Sequence, residues 1–311
     1  MNAAFYCVAD ERYFLGAVAM INSLRLLGHT EPIYMLDVGL DPAQREAIEA
    51  KVEVVDPPAG FELEPFMAKA IAPIADPAEV MVLIDVDMIA IRALDELIER
   101  ARRGRVIAPA LPMERFFSEW GELTGLGPAQ PGLQYVTSGI VFCGGTPGMM
   151  VVEQLGALAA AVDIPRTFKG GNETTYPFHY VDQDLLNAIL STTLDASTVE
   201  TIAEELVVAI PFTNIQVDDP ATLSCVESHG NSPYLLHHVF GVKPWLEVTP
   251  DSAYSCLLRR CLSGPDLAIA LPPELIPPRL RSGPFSALSR VRARFEGRFA
   301  GTRALPREPS A

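Results

Sequence analysis

Apolar positions in the first 110 residues fall into short runs separated by polar, helix-forming stretches. "AAFYCVA" is a strand-like run, and residues 13–27 carry apolar side chains at helical spacing before Gly28. Asn22, Ser23 and Arg25 interrupt that spacing, so "FLGAVAMINSLRLLG" reads as an amphipathic helix. "PIYMLDV" is the next strand, and "DPAQREAIEAK" is a helix with Asp41 as N-cap and Pro42 at its first position. After "VEVVDPP" the pattern predicts a helix around 64–74, a strand ending at Asp85, a helix over "ALDELIERARR" and a strand over "RVIAPAL". This alternation predicts a mostly parallel sheet covered by helices on both faces. The second half is less regular. "YVTSGIVFC" reads as a strand, 146–162 and "VDQDLLNAIL" as helices, and "DIPRTFKGGNETTYPFHY" between them as a surface loop of the kind that holds substrates.

One run breaks its own pattern. "VMVLIDVDMIAI", residues 80–91, is apolar except for Asp85 and Asp87. Burying an unpaired carboxylate is expensive, and two like charges make it worse. On an extended chain, residues i and i+2 project to one face, ~6.6 Å apart. A shared cation would resolve both problems; a strand that ends early in a solvated turn would avoid them. Position favours a site, because Asp10, Asp37 and Asp85 each follow a predicted strand. Ligands of such sheets bind beyond the carboxyl ends of the strands.

Charge narrows the partners. The formal net charge is −15, and eight arginines against two glutamates give residues 279–311 a net +6, so residues 1–278 carry −21 by difference. An acidic body argues against nucleic acid as a partner. The five cysteines form no C-x-x-C pair and read as core residues of a protein in a reducing, cytoplasmic setting. No apolar stretch reaches the roughly 18–20 residues of a membrane span, and the N-terminus lacks a signal-peptide pattern. The expected organisation is an acidic body over 1–278 and a basic tail over 279–311. The body divides into two halves, at about 1–115 and about 116–250.

Four segments then combine: "VADERYFLGAVAMINSL" with Asp10 and Tyr13, "VLIDVDMIAI" with Asp85 and Asp87, "VDQDLLNAIL" with Asp182, Gln183 and Asp184, and "LLHHVFGVKPW" with His237, His238, Gly241, Lys243 and Trp245. In this order they resemble the retaining nucleotide-sugar glycosyltransferases of family 8, which have the GT-A fold. The resemblance covers roughly residues 3–248 and implies that 1–278 is a GT-A catalytic domain, with a nucleotide-sugar half at about 1–115 and an acceptor half at about 116–250. It implies that Asp10 binds the uracil N–H and Tyr13 stacks on the ring. It implies that Asp85 and Asp87 bind a divalent metal and the donor's ribose or phosphates, and that Asp182 and Gln183 reach the donor sugar. The closing motif would supply a metal-ligating histidine, Gly241, and Lys243 for the diphosphate. Three departures stand out. The closing motif is one residue short, so His238 keeps the spacing to Gly241 and His237 the spacing to Lys243; His238 is the favoured ligand. Lys69 stands where the family has Arg, keeping charge but losing the bidentate fork. Thr137 stands where Asn is usual.

The chemistry holds apart from the resemblance. A nucleoside diphosphate gains negative charge as it leaves, and a metal with a lysine is the main electrostatic help available. Two carboxylates and an imidazole suit Mn²⁺ better than Mg²⁺, although Mg²⁺ is possible. Together with the resemblance, this implies a metal-dependent hexosyltransferase acting from a UDP-sugar on a glycan, lipid-linked or small-molecule acceptor. Alternatives are a sugar-1-phosphate nucleotidylyltransferase, whose Gly-rich basic loop is missing after the first strand, and an inactive GT-A binding module. Retention could use Asp182 or Asp184 as a nucleophile, or a same-face displacement beside Gln183. In the tail, Leu288, Val291, Phe295 and Phe299 lie at near-helical spacing among arginines. That pattern predicts a basic amphipathic helix on the inner face of an anionic membrane, or one folded back on the acidic body.

Overall fold

Both faces of the central sheet are buried, which explains its unbroken apolar strands. The computed structural model describes residues 2–210, 215–227, 230, 232–239, 241–249 and 251–281. Strand β1 (Ala3–Ala9) alternates across the sheet: Ala3, Phe5, Cys7 and Ala9 enter one core and Ala4 and Tyr6 the other. Strand β4 (Val80–Ile84) does the same with Val80, Val82 and Ile84 against Met81 and Leu83. One core is closed by α1 (Phe14–Leu26) and the C-terminal helix, the other by helices of the second half.

The first half follows its pattern. Between α1 and β4 come β2 (Ile33–Asp37), α2 (Pro42–Ile48), β3 (Glu53–Val55) and α3 (Ile71–Ala75). Asp41 caps α2 in a capping box with Gln44, and Pro42 sits in its first turn. The helix expected around 64–74 is broken into a 3₁₀ turn, Pro65–Met67, and α3, leaving Lys69 in the break. Helix α1 differs from its amphipathic reading, for every residue from Phe14 to Leu24 is buried. Its polar members are satisfied instead of solvated. Asn22 donates to the Cys261 and Ile269 carbonyls at 2.8 and 2.9 Å. The Ser23 hydroxyl accepts from Ala90 N–H at 2.9 Å.

After β4 the chain turns out of the sheet into β5 (Met88–Ala90), so the apolar run 80–91 is two strands, not one. There follow α4 (Asp95–Ala101), β6 (Val106–Ala110), α5 (Trp120–Thr124), β7 (Ile140–Gly144), α6 (Gly145–Leu158), α7 (Asp182–Thr193), β8 (Val199–Ala203), α8 (Glu204–Val207) and β9 (Val208–Ala209). The chain continues through β10 (Ile215–Asp219), β11 (Ser224–Glu227), β12 (Leu235–His237) and α9 (Ala253–Ser263). The main sheet has the order β3-β2-β1-β4-β7-β6-β8. It is parallel except at β7, which runs antiparallel to both β4 and β6. The strand expected over "YVTSGIVFC" starts only at Ile140; residues 135–139 form the approach to it. A small sheet, β5-β12-β9, carries the segment after the D-x-D back to the histidine pair.

The five cysteines are free, four of them buried. No helix among the described residues is long and apolar enough to cross a membrane. At the start of the basic segment Leu280 lies in the core and Arg279 donates to the Trp245 carbonyl at 2.8 Å. The expected tail helix lies outside the described residues.

Candidate active site

The carboxyl ends of β1 and β4 carry the first site residues, as the strand pattern predicts. Asp10 follows β1 and accepts the Tyr13 N–H at 2.8 Å, fixing the entry to α1. Asp85 follows β4, its N–H donating to the Gly139 carbonyl at 2.8 Å. Met88 N–H returns to the Asp85 carbonyl at 3.2 Å, so Asp85 and Asp87 flank a turn between two sheets. The tight turn, and not an extended strand, aims both carboxylates into one space. Asp37, at the end of β2, is spent on local structure: it accepts from Gly39 and Leu40 N–H and pairs with Arg45 at 2.9 Å.

One wall of the site gathers around Asp87. His237 Nε2 lies 3.1 Å from Asp87 Oδ1 and 4.0 Å from Asp85 Oδ2. Lys243 Nζ, itself buried, lies 2.7 Å from Asp87 Oδ2 and donates to the His238 carbonyl. One ligand atom each from Asp85, Asp87 and His237 lies within 4.8 Å of the others. His237, not the favoured His238, therefore faces the carboxylates. The reason is the pairing of β12 with β5, which sets His237 opposite Met88. His238 follows the strand with its N–H on the Asp87 carbonyl at 3.0 Å; consecutive residues of an extended chain point to opposite faces, and its ring packs edge-on against Tyr254 at 5.1 Å. Gly139 makes room for this arrangement, since a Cβ there would come within 2.9 Å of the His237 ring.

The other side of this centre gathers around Lys69. Its ammonium lies 2.6 Å from Asp85 Oδ1 and 2.8 Å from Asp182 Oδ2, and donates to the Ser138 carbonyl at 3.1 Å. Three carboxylates thus face two ammonium groups. Burial lifts the Asp85 carboxyl above its usual range, Lys69 pulling against it and Asp87 adding to it. Burial acts on Asp87 in the same sense, but His237 and Lys243 outweigh it and hold that carboxyl well below the usual range. Burial would lower the Lys69 pKa, and the two carboxylates instead raise it well above that of a free lysine.

Trp245 ties the start of α1 to this centre. Its indole N–H donates to the Arg12 carbonyl at 2.7 Å, and its ring meets the Tyr13 ring edge-on with centroids 6.0 Å apart. Only glycine fits at position 16, where a Cβ would lie 2.6 Å from both the Trp245 ring and the Val86 carbonyl. Gly241 adopts φ +72°, the left-handed conformation glycine favours. Thr137 is buried, its hydroxyl accepting Gly139 N–H at 3.2 Å, beside the backbone that Asp85 and Lys69 grip. Gln183 lies at the start of α7 and donates to the Tyr135 hydroxyl at 3.2 Å.

Reading the residues in line misses Arg115 and Tyr135, the partners of Asp184. Arg115 sits in an irregular polar stretch without periodicity, and Tyr135 leads a segment read as strand. A second group of potential ligands, His29, Glu31 and Asp95, is structural. His29 Nδ1 pairs with Glu31 at 3.1 Å, and its Nε2 accepts Leu94 N–H at 2.9 Å, leaving no lone pair for a metal.

No family model matches the sequence, and no curated protein matches it. Among solved structures, the chain is similar to the galactosyltransferase LgtC in complex with donor and acceptor sugar analogs. The identity is 16% and the TM-score 0.53, over 88% of this chain and 98% of that one. An active-site mutant of LgtC matches at 15% identity and TM-score 0.54 over the same shares. The bifunctional glycosyltransferase WbbM in its apo form matches at 14% identity and TM-score 0.50, over 86% of this chain and 50% of that one. At such identities the likeness is one of fold: the mixed α/β architecture, with its large, mostly parallel central sheet flanked by helices, is that of GT-A glycosyltransferases.

Proposed function

We propose that this chain is a metal-dependent, retaining glycosyltransferase that moves a hexose from a UDP-sugar to a glycan or lipid-linked acceptor, as in family 8. The observation that carries the reading is the convergence of Asp85, Asp87 and His237 beyond the carboxyl end of β4 in a GT-A architecture. These three residues would hold a divalent cation. The imidazole among two carboxylates suits Mn²⁺ over Mg²⁺. When bound, the cation would neutralise charge developing on the departing diphosphate.

The chain's own groups do the rest. Asp10 accepts the uracil N–H, and Tyr13, edge-on to Trp245, presents its ring to the base. Lys243, held on Asp87 at 2.7 Å, exchanges that partner for a diphosphate oxygen, and Gly241 lets the loop approach. Lys69, Asp182, Thr137 and Gln183 border the sugar. A same-face displacement fits better than a covalent route. Asp184 is buried under four hydrogen-bond donors, and Asp182 is paired with Lys69.

Hydrolysis of a panel of nucleotide sugars, with and without Mn²⁺, tests the reading. The expected result is Mn²⁺-dependent release of UDP from one donor. Absence of turnover with every donor overturns it. For the tail, we propose attachment to the inner face of an anionic membrane, supported by the net +6 of residues 279–311 and about 1 kcal/mol per arginine near such a surface. Vesicle co-sedimentation against a chain ending at Arg281, which keeps Leu280 in the core, decides it. Equal partitioning at low salt favours the helix folded back on the acidic body.

A further inference from the structure

Asp184, the third residue of "DQD", is fully buried, and its two oxygens accept four hydrogen bonds. Oδ1 takes Arg115 Nε and the Tyr135 hydroxyl, each at 2.6 Å. Oδ2 takes Arg115 Nη2 at 2.7 Å and Tyr180 N–H at 2.6 Å. A carboxylate beside a guanidinium only accepts, so the proton between Tyr135 and Asp184 belongs to Tyr135. Burial and the negative charge of Asp184 raise the Tyr135 pKa well above that of free tyrosine, so the hydroxyl keeps that proton. Its oxygen is then left as an acceptor, 3.2 Å from the Gln183 side chain. A glutamine turned the other way would set two acceptor oxygens against each other. The amide end of Gln183 must therefore face Tyr135, and the hydrogen-bond chain fixes an orientation that the carboxamide's shape alone leaves open.

The anchorage behind this chain is rigid. Arg115 also donates to the Tyr176 carbonyl at 3.2 Å and lies over the Tyr180 and Phe117 rings at 4.9 and 4.7 Å. Asn187, one turn further along α7, exchanges two hydrogen bonds with the Val136 backbone at 2.8 and 2.9 Å and donates to the Gln183 carbonyl. Between the Tyr180 and Asp184 anchors, Val181 adopts φ +48°, ψ −120°, a strained conformation for a β-branched residue. Such strain persists only where its surroundings over-determine it, and it concentrates at functional sites. Among the described residues, nothing donates a hydrogen bond to Gln183 Oε1.

We infer that Tyr135, clamped by Asp184 and Arg115, is a positioning residue that holds the Gln183 carboxamide with its carbonyl oxygen turned toward the donor sugar. The inference rests on the reading of Gln183 as a donor-sugar residue. Asp184 is thereby removed from the chemistry and becomes the anchor of the chain.

The test is a double-mutant cycle on Mn²⁺-dependent donor hydrolysis with Tyr135→Phe, Gln183→Ala and the two combined. Tyr135→Phe keeps the ring and removes the hydroxyl, which is both the acceptor for Gln183 and one of the four donors to Asp184. Expected is a kcat lowered about 10- to 100-fold, the scale of a small misplacement, with donor KM and calorimetric UDP affinity within about twofold. In the double variant the loss equals that of Gln183→Ala alone, because Tyr135 acts through Gln183. Gln183→Asn, whose amide is too short to reach the Tyr135 oxygen, is the second variant and loses kcat similarly. An unchanged kcat in Tyr135→Phe or Gln183→Asn, or losses that multiply in the double variant, overturns the inference while the donor reading stands. No turnover in the wild-type chain overturns both.

Discussion

The carboxylate centre around Asp87 and the cluster around Asp184, reached through Gln183, are two walls that hold similar charges in opposite ways. Around Asp87, charged groups meet each other with few backbone ties: His237 and Lys243 face the carboxylate at 3.1 and 2.7 Å, and Asp85 keeps 28% of its side chain exposed. Around Asp184 both carboxylate oxygens are taken up by fixed partners within the fold, and the side chain is 0% exposed. Under the proposed function the first arrangement would exchange a protein cation for a metal or a diphosphate, because its ion pairs are the interactions a ligand would replace. The second cannot exchange without unfolding, because removing one buried partner strands the others. On that reading one wall binds and the other stays still. The contrast is invisible in composition, since both walls are aspartates with basic partners.

Mutations can break this contrast. The largest effect is expected at the exchangeable wall: Asp85→Asn should lower Mn²⁺-dependent turnover at least ~10³-fold, several kcal/mol of lost transition-state stabilisation, with its unfolding midpoint little changed. Near-wild-type hydrolysis in Asp85→Asn would remove the metal role. Asp87→Asn should lose turnover as fully but also melt lower, since Lys243 would be buried without its counter-charge. At the locked wall the balance reverses. Asp184→Asn is expected to lose about 3–5 kcal/mol of stability, measured by urea unfolding, and a stability equal to wild type would contradict the description of that wall.

Binding gives the finer distinctions. Lys243→Ala should weaken UDP by about 1.5–3 kcal/mol, the range of a hydrogen bond to a charged group, and uridine by much less. Equal losses in calorimetric titration would refute a phosphate role. Smallest, His237→Ala should reduce Mn²⁺ affinity at least ~10-fold, about 1.4 kcal/mol, while His238→Ala changes it only slightly. A larger loss at His238 would restore the ligand favoured by spacing.

Much of the exchangeable wall was legible in sequence. Asp10 and Asp85 follow apolar runs that can only be buried strands, so their position beyond the sheet follows from hydrophobic periodicity. Asp182 and Gln183 open a helix with a clear pattern. The locked wall was not legible: Arg115 has no periodic context, and Asp184 read equally well as a solvated helix face. Its burial depends on Tyr135 and Arg115, 49 and 69 residues earlier in the chain. Helix α1 failed for a related reason. Asn22 and Ser23 looked like a polar face because their partners, Cys261, Ile269 and Ala90, lie 67 to 247 residues away.

By itself the sequence determined the strand–helix rhythm, the parallel first half, and the presence of paired carboxylates at a strand end, because these depend on local periodicity and on the cost of burying charge. Tertiary structure alone decided the insertion of antiparallel β7 between β4 and β6. It also decided the division of 80–91 into strands of two different sheets, and the choice of His237 over His238. The last of these is a matter of one residue. Register between β12 and β5 sets which of two adjacent side chains faces Asp87, and a shift by one position reverses the answer. Register is fixed by pairing between distant segments, so no local reading of "LLHHVFG" could supply it.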